Sequence, residues 1–299
     1  MSTSAKAAPA LRGRTAQGLG FLLITAAGWG LNWPIQKFLL TELPPFSMRA
    51  VCAVAASLIG FALARSRHEA LRVPVGQWRI LAVASMLNYG LFSVLTIASL
   101  LWLRASEAVI FTYTMPIWTA LLARLVYRER LTVGRALALV LGLAGIAVLV
   151  GAEPMDASWV KLPGFAFALA AAWLFAVGTL ISKNRPPRLP PVAGVAWQVT
   201  LGAIPALLLC VTETPDWSRV TPMGWLALLY CATVPMIFAY LAWFRALQLL
   251  PAATASMGTL IAPVIGVSGS ALLLGEPIGT RQVVALGLTL AGVALAARG

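Results

Sequence analysis

Between Thr25 and Gln36 an otherwise apolar stretch carries Thr25, Trp29, Asn32, Trp33 and Gln36. Steps of three and four put these five on one face of a helix. Amide side chains can hydrogen-bond to an amino group or a carboxylate. Indole and phenol rings can stack on an apolar body or face a cation. Such a face suits non-covalent recognition of a solute that is apolar at one end and charged at the other. The design recurs with Ser85, Asn88, Tyr89, Phe92 and Thr96, and again with Thr233, Met236, Tyr240 and Trp243. Glu107, Phe111, Thr114 and Trp118 make a further face, with Tyr113 beside it. Trp173 and Gln198 add one ring and one amide. The predicted substrate-binding set is Trp29, Asn32, Asn88, Tyr89, Tyr113, Trp173, Gln198 and Tyr240.

Bond-making chemistry has no comparable set. Hydrolysis needs a nucleophile with a base, a metal cluster or paired carboxylates within reach. The single histidine, His68, sits in a basic stretch, and Cys52, Cys210 and Cys231 all fall inside apolar segments. No catalytic residue, metal site or cofactor is expected, and the chain does not read as an enzyme. No acidic residue lies in the middle of an apolar segment, where a proton-coupling group would be costly and informative. Glu107 comes nearest, and Arg49 on the same side is expected to neutralise it.

These faces belong to a chain of 299 residues that is 60% hydrophobic and 10% charged, against about a quarter charged in a soluble domain. Ten stretches are each long enough to cross about 30 Å of hydrocarbon as a helix. They run Gln17–Leu39, Phe46–Ala64, Trp78–Leu101, Ala105–Tyr127, Thr132–Val150, Pro163–Lys183, Pro191–Val211, Met223–Arg245, Ala253–Leu274 and Thr280–Ala297. The fold expected is an all-α polytopic membrane protein. The net charge of +13 is not a nucleic-acid signal, because its placement follows topology. With both termini on one side, the opposite side holds only Lys37, Arg49, Arg104, Lys161, Arg219 and Arg281 among the basic residues. Lys/Arg excess marks the cytoplasmic face, so both termini are expected there. A leading secretory signal is not expected, since the first stretch is too long.

Shifting the chain by 147 positions places Trp78 on Trp225, Ala105 on Ala252, Thr112 on Thr259, Pro116 on Pro263 and Glu129 on Glu276. LGLAGIA at Leu141–Ala147 falls on LTLAGVA at Leu288–Ala294. With an offset of 146, LPP at Leu43–Pro45 matches Leu189–Pro191, and Lys37 matches Lys183. Each repeat holds five spans, and the odd number turns the second upside down relative to the first. Inverted repeats are a recurring transporter architecture with a mid-membrane site between the halves. The expected organisation is a tail at 1–16, a first five-helix repeat at 17–151, a linking loop at 152–162 and a second repeat at 163–299.

TMPIWTALLARLVYRERLT (Thr114–Thr132), echoed by IAPVIGVSGSALLLGEPIGT (Ile261–Thr280), resembles the drug/metabolite transporter superfamily in this ten-span setting, and its EamA-type branch in particular. The resemblance covers essentially the whole chain. It implies export of amino acids or other metabolites and a bacterial inner-membrane location. The aromatic lining is similar to that of exporters of aromatic or other hydrophobic amino acids. The small multidrug members of the superfamily use a carboxylate in their first helix, which has none here between Gln17 and Leu39. An uncoupled or weakly proton-coupled carrier is therefore expected.

Pro116, Pro263 and Pro235 lie inside predicted spans, where proline removes a hydrogen bond to the carbonyl four residues back. They are expected to act as hinges and to release the carbonyls of Thr112, Thr259 and Cys231. Glu129 and Glu276 stand at helix ends and are expected to cap or pair there rather than react. The fifth and tenth spans, with Gly142, Gly145, Gly287 and Gly292, read as closely packed scaffold. The expected partners are an amino acid or related metabolite and the bilayer, with no nucleic acid, in a monomer or weak homodimer. Competing readings are a channel, a non-transporting scaffold or receptor, and a carrier for another amphiphilic metabolite or drug.

Overall fold

A computed structural model describes residues 7–127, 134, 137, 140–141, 144–145, 148, 155–185, 187–249 and 261–298. Among these residues the regular structure is helical throughout. The helices are α1 (Ala7–Leu39), α2 (Pro45–Ser66), α3 (Trp78–Ser99), α4 (Ala105–Thr112), α5 (Met115–Tyr127) and α6 (Met155–Asn184). They continue with α7 (Pro191–Cys210), α8, α9 (Ile261–Leu274) and α10 (Thr280–Arg298). Helix α8 comprises Pro222–Thr233, a π-helical turn at Val234–Phe238, and Ala239–Leu249. Five helical stretches among the described residues are long and apolar enough to cross a membrane: Pro45–Ser66, Trp78–Ser99, Trp159–Ser182, Pro191–Cys210 and Pro222–Trp243. Most of the predicted fifth span lies outside the described residues, as do Glu129 and Thr259.

Helix starts follow local chemistry. In both LPP segments the middle proline is the extended cap residue, and the last is the first helical residue of α2 or α7. Proline is suited to that position because the first helical N–H lacks an intrahelical partner anyway. Thr221 starts α8, its hydroxyl accepting from Gly224 N–H at 3.1 Å. Carboxylates from elsewhere in the chain complete other starts. Glu213 accepts from Phe46 N–H, Ser47 N–H and the Ser47 hydroxyl at 3.1, 2.6 and 2.7 Å. Glu276 does the same for Ala105 N–H, Ser106 N–H and the Ser106 hydroxyl, at 2.8, 3.1 and 2.6 Å. Glu69 accepts from Ala193 N–H in α7 at 2.8 Å. An anion at a helix N-terminus satisfies donors that the helix itself cannot and meets the positive end of its dipole.

Packing crosses between the two halves of the chain. Helix α1 lies against α8 and α9, while α6 lies against α3, α4 and α5. Helices α2 and α7 pack on each other, α3 also meets α7, and α8 also meets α2. Exchanging the halves turns this set of neighbours into itself. The α1–α9 crossing is close because Gly30 presents no side chain: a Cβ there would lie 2.6 Å from the Ala262 carbonyl oxygen. Among the described residues of the fifth and tenth spans, Gly145 permits the same intimacy, with Thr289 Oγ1 2.9 Å from where a Cβ would be. At Gly287 a Cβ would meet nothing within 4 Å among the described residues.

Three of the predicted spans depart from regular α geometry. Helix α3 contains a π-helical turn at Met86–Leu91, and α8 one at Val234–Phe238. A shift of 147 carries 86–91 onto 233–238, so the two turns occupy counterpart places. A π turn widens the helix and re-aims its side chains. Pro235 lies in the second turn, where the missing N–H disrupts the ordinary ladder. The fourth predicted span is not one helix. It stops at Thr112 and resumes at Met115, with Pro116 the second residue of the new helix. Proline disfavours helical conformation in the residue before it and suits the first turn of a helix. Pro263 is buried near the start of described α9.

Candidate functional site

A cavity lies among α1, α3, α6 and α8 and the α4–α5 junction. From α1 it receives Trp29, Asn32, Trp33 and Gln36, four of the five residues on the polar stripe. The fifth, Thr25, instead donates to Phe21 O at 2.9 Å and Ala239 O at 3.2 Å, joining α1 to α8. From α3 come Tyr89, Phe92, Ser93 and Thr96; from the α4–α5 junction, Tyr113 and Met115. Phe175, Pro235, Met236 and Tyr240 close the opposite side, and Arg49 reaches in from α2. Trp29 and Phe175 are counterparts at an offset of 146, so each half contributes a ring from its first helix.

The lining is an aromatic frame with a few polar atoms. Trp29 meets Tyr240 edge-on, with ring centroids 5.2 Å apart, and Tyr89 lies 6.2 Å from Tyr240. Phe92 and Phe175 are 5.0 Å apart. Trp29 Nε1 donates to the Pro235 carbonyl at 3.2 Å, which fixes the indole and ties α1 to the π turn of α8. Tyr230 bonds the Gly28 carbonyl at 3.0 Å, and Cys231 Sγ approaches Asn32 Oδ1 at 3.6 Å. The hydroxyls of Ser93 and Thr96 donate to the Gly90 and Ser93 carbonyls. The Tyr89 hydroxyl is buried with no hydrogen-bond partner among the described residues.

Of the residues predicted from the sequence, Trp29, Asn32, Tyr89, Tyr113 and Tyr240 share this cavity, with Pro235 at its wall. Asn88, Trp173 and Gln198 do not line it. Asn88, the residue before Tyr89 in the π turn, faces α6 and donates to Ser182 Oγ at 3.0 Å. Gly178 makes room for it: a Cβ there would fall within 2.8 Å of Asn88 Cγ. Trp173 points away from the interior and is 45% exposed. Phe175, two residues and about 200° further round, takes the inward position. Gln198 is half-buried on α7, beside Trp197, whose Nε1 donates to Leu71 O at 2.8 Å.

The expected neutralisation of Glu107 by Arg49 is corrected. Glu107 pairs with Lys161 at 3.0 Å and accepts from Arg104 N–H at 3.0 Å, capping α4. Arg49 is 7% exposed and donates to Gln36 Oε1 at 3.3 Å. Arg49, Ser93, Met115 and Phe175 are lining residues absent from the sequence-derived stripes. Arg49 escaped because a charge four residues inside a helix start reads as belonging to the surface. Glu276, expected to cap or pair at its own helix end, instead caps the start of α4.

Comparison with known proteins places this geometry. The model of the EamA-like transporter family matches residues 16–151 and again 162–298. The chain is 28% identical over 284 residues to the uncharacterized transporter YvbV of Bacillus subtilis, covering 94% of this chain and 91% of that one. It is 27% identical over 288 residues to a probable amino-acid metabolite efflux pump of Salmonella typhimurium, covering 92% and 93%. A crystal structure of 20% sequence identity matches 95% of this chain and 97% of its own with a TM-score of 0.67, a likeness of fold. Two matches of one family model, side by side along nearly the whole chain, define the membership: the protein belongs to the EamA-like transporter family.

Proposed function

We propose that this membrane transporter exports small metabolites, amino acids with aromatic or hydrophobic side chains foremost, by alternating access around the central cavity. The observation that carries the reading is that both halves build one aromatic and amide-lined cavity at places where their helices leave α geometry. The name of the Salmonella relative, a probable amino-acid metabolite efflux pump, supports the substrate class. Rings such as Trp29, Tyr113 and Tyr240 suit an apolar side chain, and Asn32 and Gln36 offer hydrogen-bonding groups to its polar end.

The halves are, in this reading, inverted five-helix repeats at 17–151 and 163–299, separated by 152–162, with the tail 1–16 and both termini on the cytoplasmic side of the inner membrane. The interchangeable neighbour pattern and the counterpart π turns support the repeats. The uneven distribution of Lys and Arg supports the orientation. Pro235 and the helix break ahead of Pro116 are points at which α8 and the fourth span can bend as one half moves against the other, with Pro263 serving α9. Binding residues are Trp29, Asn32, Tyr89, Tyr113 and Tyr240. Transport is uncoupled or weakly coupled to protons and needs no cofactor.

Counterflow tests the reading. Proteoliposomes preloaded with unlabelled phenylalanine should accumulate labelled phenylalanine transiently and saturably. Uptake that is linear in concentration and indifferent to preloading would replace the carrier with a channel. Proton movement driven by the substrate would overturn the coupling assignment.

A further inference from the structure

Arg49 is a permanent cation set inside the helix bundle. It is 7% exposed, lines the cavity, and has a guanidinium with five N–H donors. Its hydrogen bond among the described residues is to the neutral Gln36 amide, at a long 3.3 Å. No aspartate or glutamate stands among the described residues that line the cavity. Described glutamates near this end of the bundle are engaged elsewhere: Glu42 by the start of α8, Glu107 by Lys161, Glu213 by the start of α2, and Glu276 by the start of α4. A buried charge is costly without a partner, so the fold maintains a cation facing a space that a solute enters. A second polar group on the same cavity, the buried Tyr89 hydroxyl, has no hydrogen-bond partner among the described residues.

We infer that Arg49 is the carboxylate anchor of the cavity, assisted by the Tyr89 hydroxyl, and that the carrier selects its substrates by their carboxylate rather than their ammonium group. The inference rests on the carrier reading and narrows it to a substrate class. The class comprises carboxylates on an apolar or aromatic body, whether or not they carry an amine. Guanidinium offers a carboxylate two parallel N–H donors, a geometry that a neutral amide does not reproduce. The ammonium of an amino acid would meet only neutral acceptors, such as the amide oxygens of Asn32 and Gln36.

Three probes separate the two ends of the solute: phenylalanine, 3-phenylpropionate (carboxylate without amine) and phenethylamine (amine without carboxylate). Equilibrium binding of each to purified full-length protein should place phenylalanine and 3-phenylpropionate within a few-fold of each other. Phenethylamine should bind roughly 30-fold more weakly or worse, the scale for loss of a buried charge partner. Arg49→Gln should collapse that ratio to within about threefold by weakening only the two carboxylates, while Arg49→Lys keeps part of the preference. Tyr89→Phe should reduce it several-fold. A merely structural arginine would lower all three affinities together and leave the ratio unchanged. Should Arg49→Gln fail to fold, the ratios in wild type, Arg49→Lys and Tyr89→Phe still decide. Wild-type protein binding phenethylamine as well as 3-phenylpropionate, an unchanged ratio in the variants, or no binding of any probe would overturn the anchor. Carboxylate-selective binding without counterflow would instead sink the carrier reading and leave the anchor standing.

Discussion

Gly30→Ala puts one methyl group into the α1–α9 crossing, and the structure says what it meets. Its Cβ would lie 2.6 Å from the Ala262 carbonyl oxygen, 2.9 Å from Ile265 Cβ and 3.0 Å from Ile265 Cγ2. Ordinary contact begins at 3.4 Å, so the helices must part by about 0.8 Å at this point. Neither obstacle can step aside. One is backbone, and the other is a β-branched side chain whose χ1 is held by its own helix. Overpacking of this kind costs about 1–3 kcal/mol. Gly20→Ala on the same helix is the control, because no described residue lies within 4 Å of the added carbon. Thermal unfolding of the two variants in one detergent should show Gly30→Ala melting several degrees below wild type and Gly20→Ala no lower than wild type. Equal melting temperatures for all three would refute the claim that contact at Gly30 sets the crossing.

Glu276→Ala and Glu213→Ala each strip two backbone N–H groups and one serine hydroxyl of their acceptor. Each should therefore destabilise by about 1–3 kcal/mol, read as earlier unfolding, with the glutamine variants milder. Asn88→Ala removes the bond to Ser182 and the packing on Gly178, not a cavity group. It should lower thermal stability while leaving the KM for transport within about twofold of wild type, and a large KM change with unchanged stability would place Asn88 in the solute path. Trp29→Phe keeps a ring against Tyr240 but loses the bond to the Pro235 carbonyl. A loss of about 1 kcal/mol should raise KM about fivefold in counterflow titrations, and an unchanged KM would show that the indole N–H is immaterial.

Much of the site was legible because helical periodicity is a strong signal in a membrane chain. A polar residue amid hydrocarbon has to face something, and on α1 the stripe predicted the lining nearly residue by residue. The same reasoning misplaced Asn88, because one position of helix rotation decides between a cavity and a neighbouring helix, and spacing does not fix that rotation. The π turn at Met86–Leu91 alters the rotation further, and no proline marks it as Pro235 marks its counterpart. Trp173 shows the complementary failure. An aromatic ring is at home in lipid, so its presence does not reveal which way it points. Arg49 was legible only as a surface charge, since whether its long side chain turns outward or into the bundle is a tertiary matter. Glu276 was readable as a structural carboxylate at a helix end, but the helix that it caps is a different one, with partners Ala105 and Ser106 171 and 170 residues away. No local pattern records such a contact.

The most direct test of the central claim compares rings inside and outside the cavity. Saturable counterflow of labelled phenylalanine would be measured in proteoliposomes holding equal amounts of folded wild type, Tyr240→Ala and Trp173→Ala. Tyr240 borders the cavity, whereas Trp173 faces outward. The account predicts that Tyr240→Ala loses most of the counterflow and Trp173→Ala keeps it. Full counterflow by Tyr240→Ala, or its loss in Trp173→Ala alone, would contradict the claim that the solute passes through this cavity.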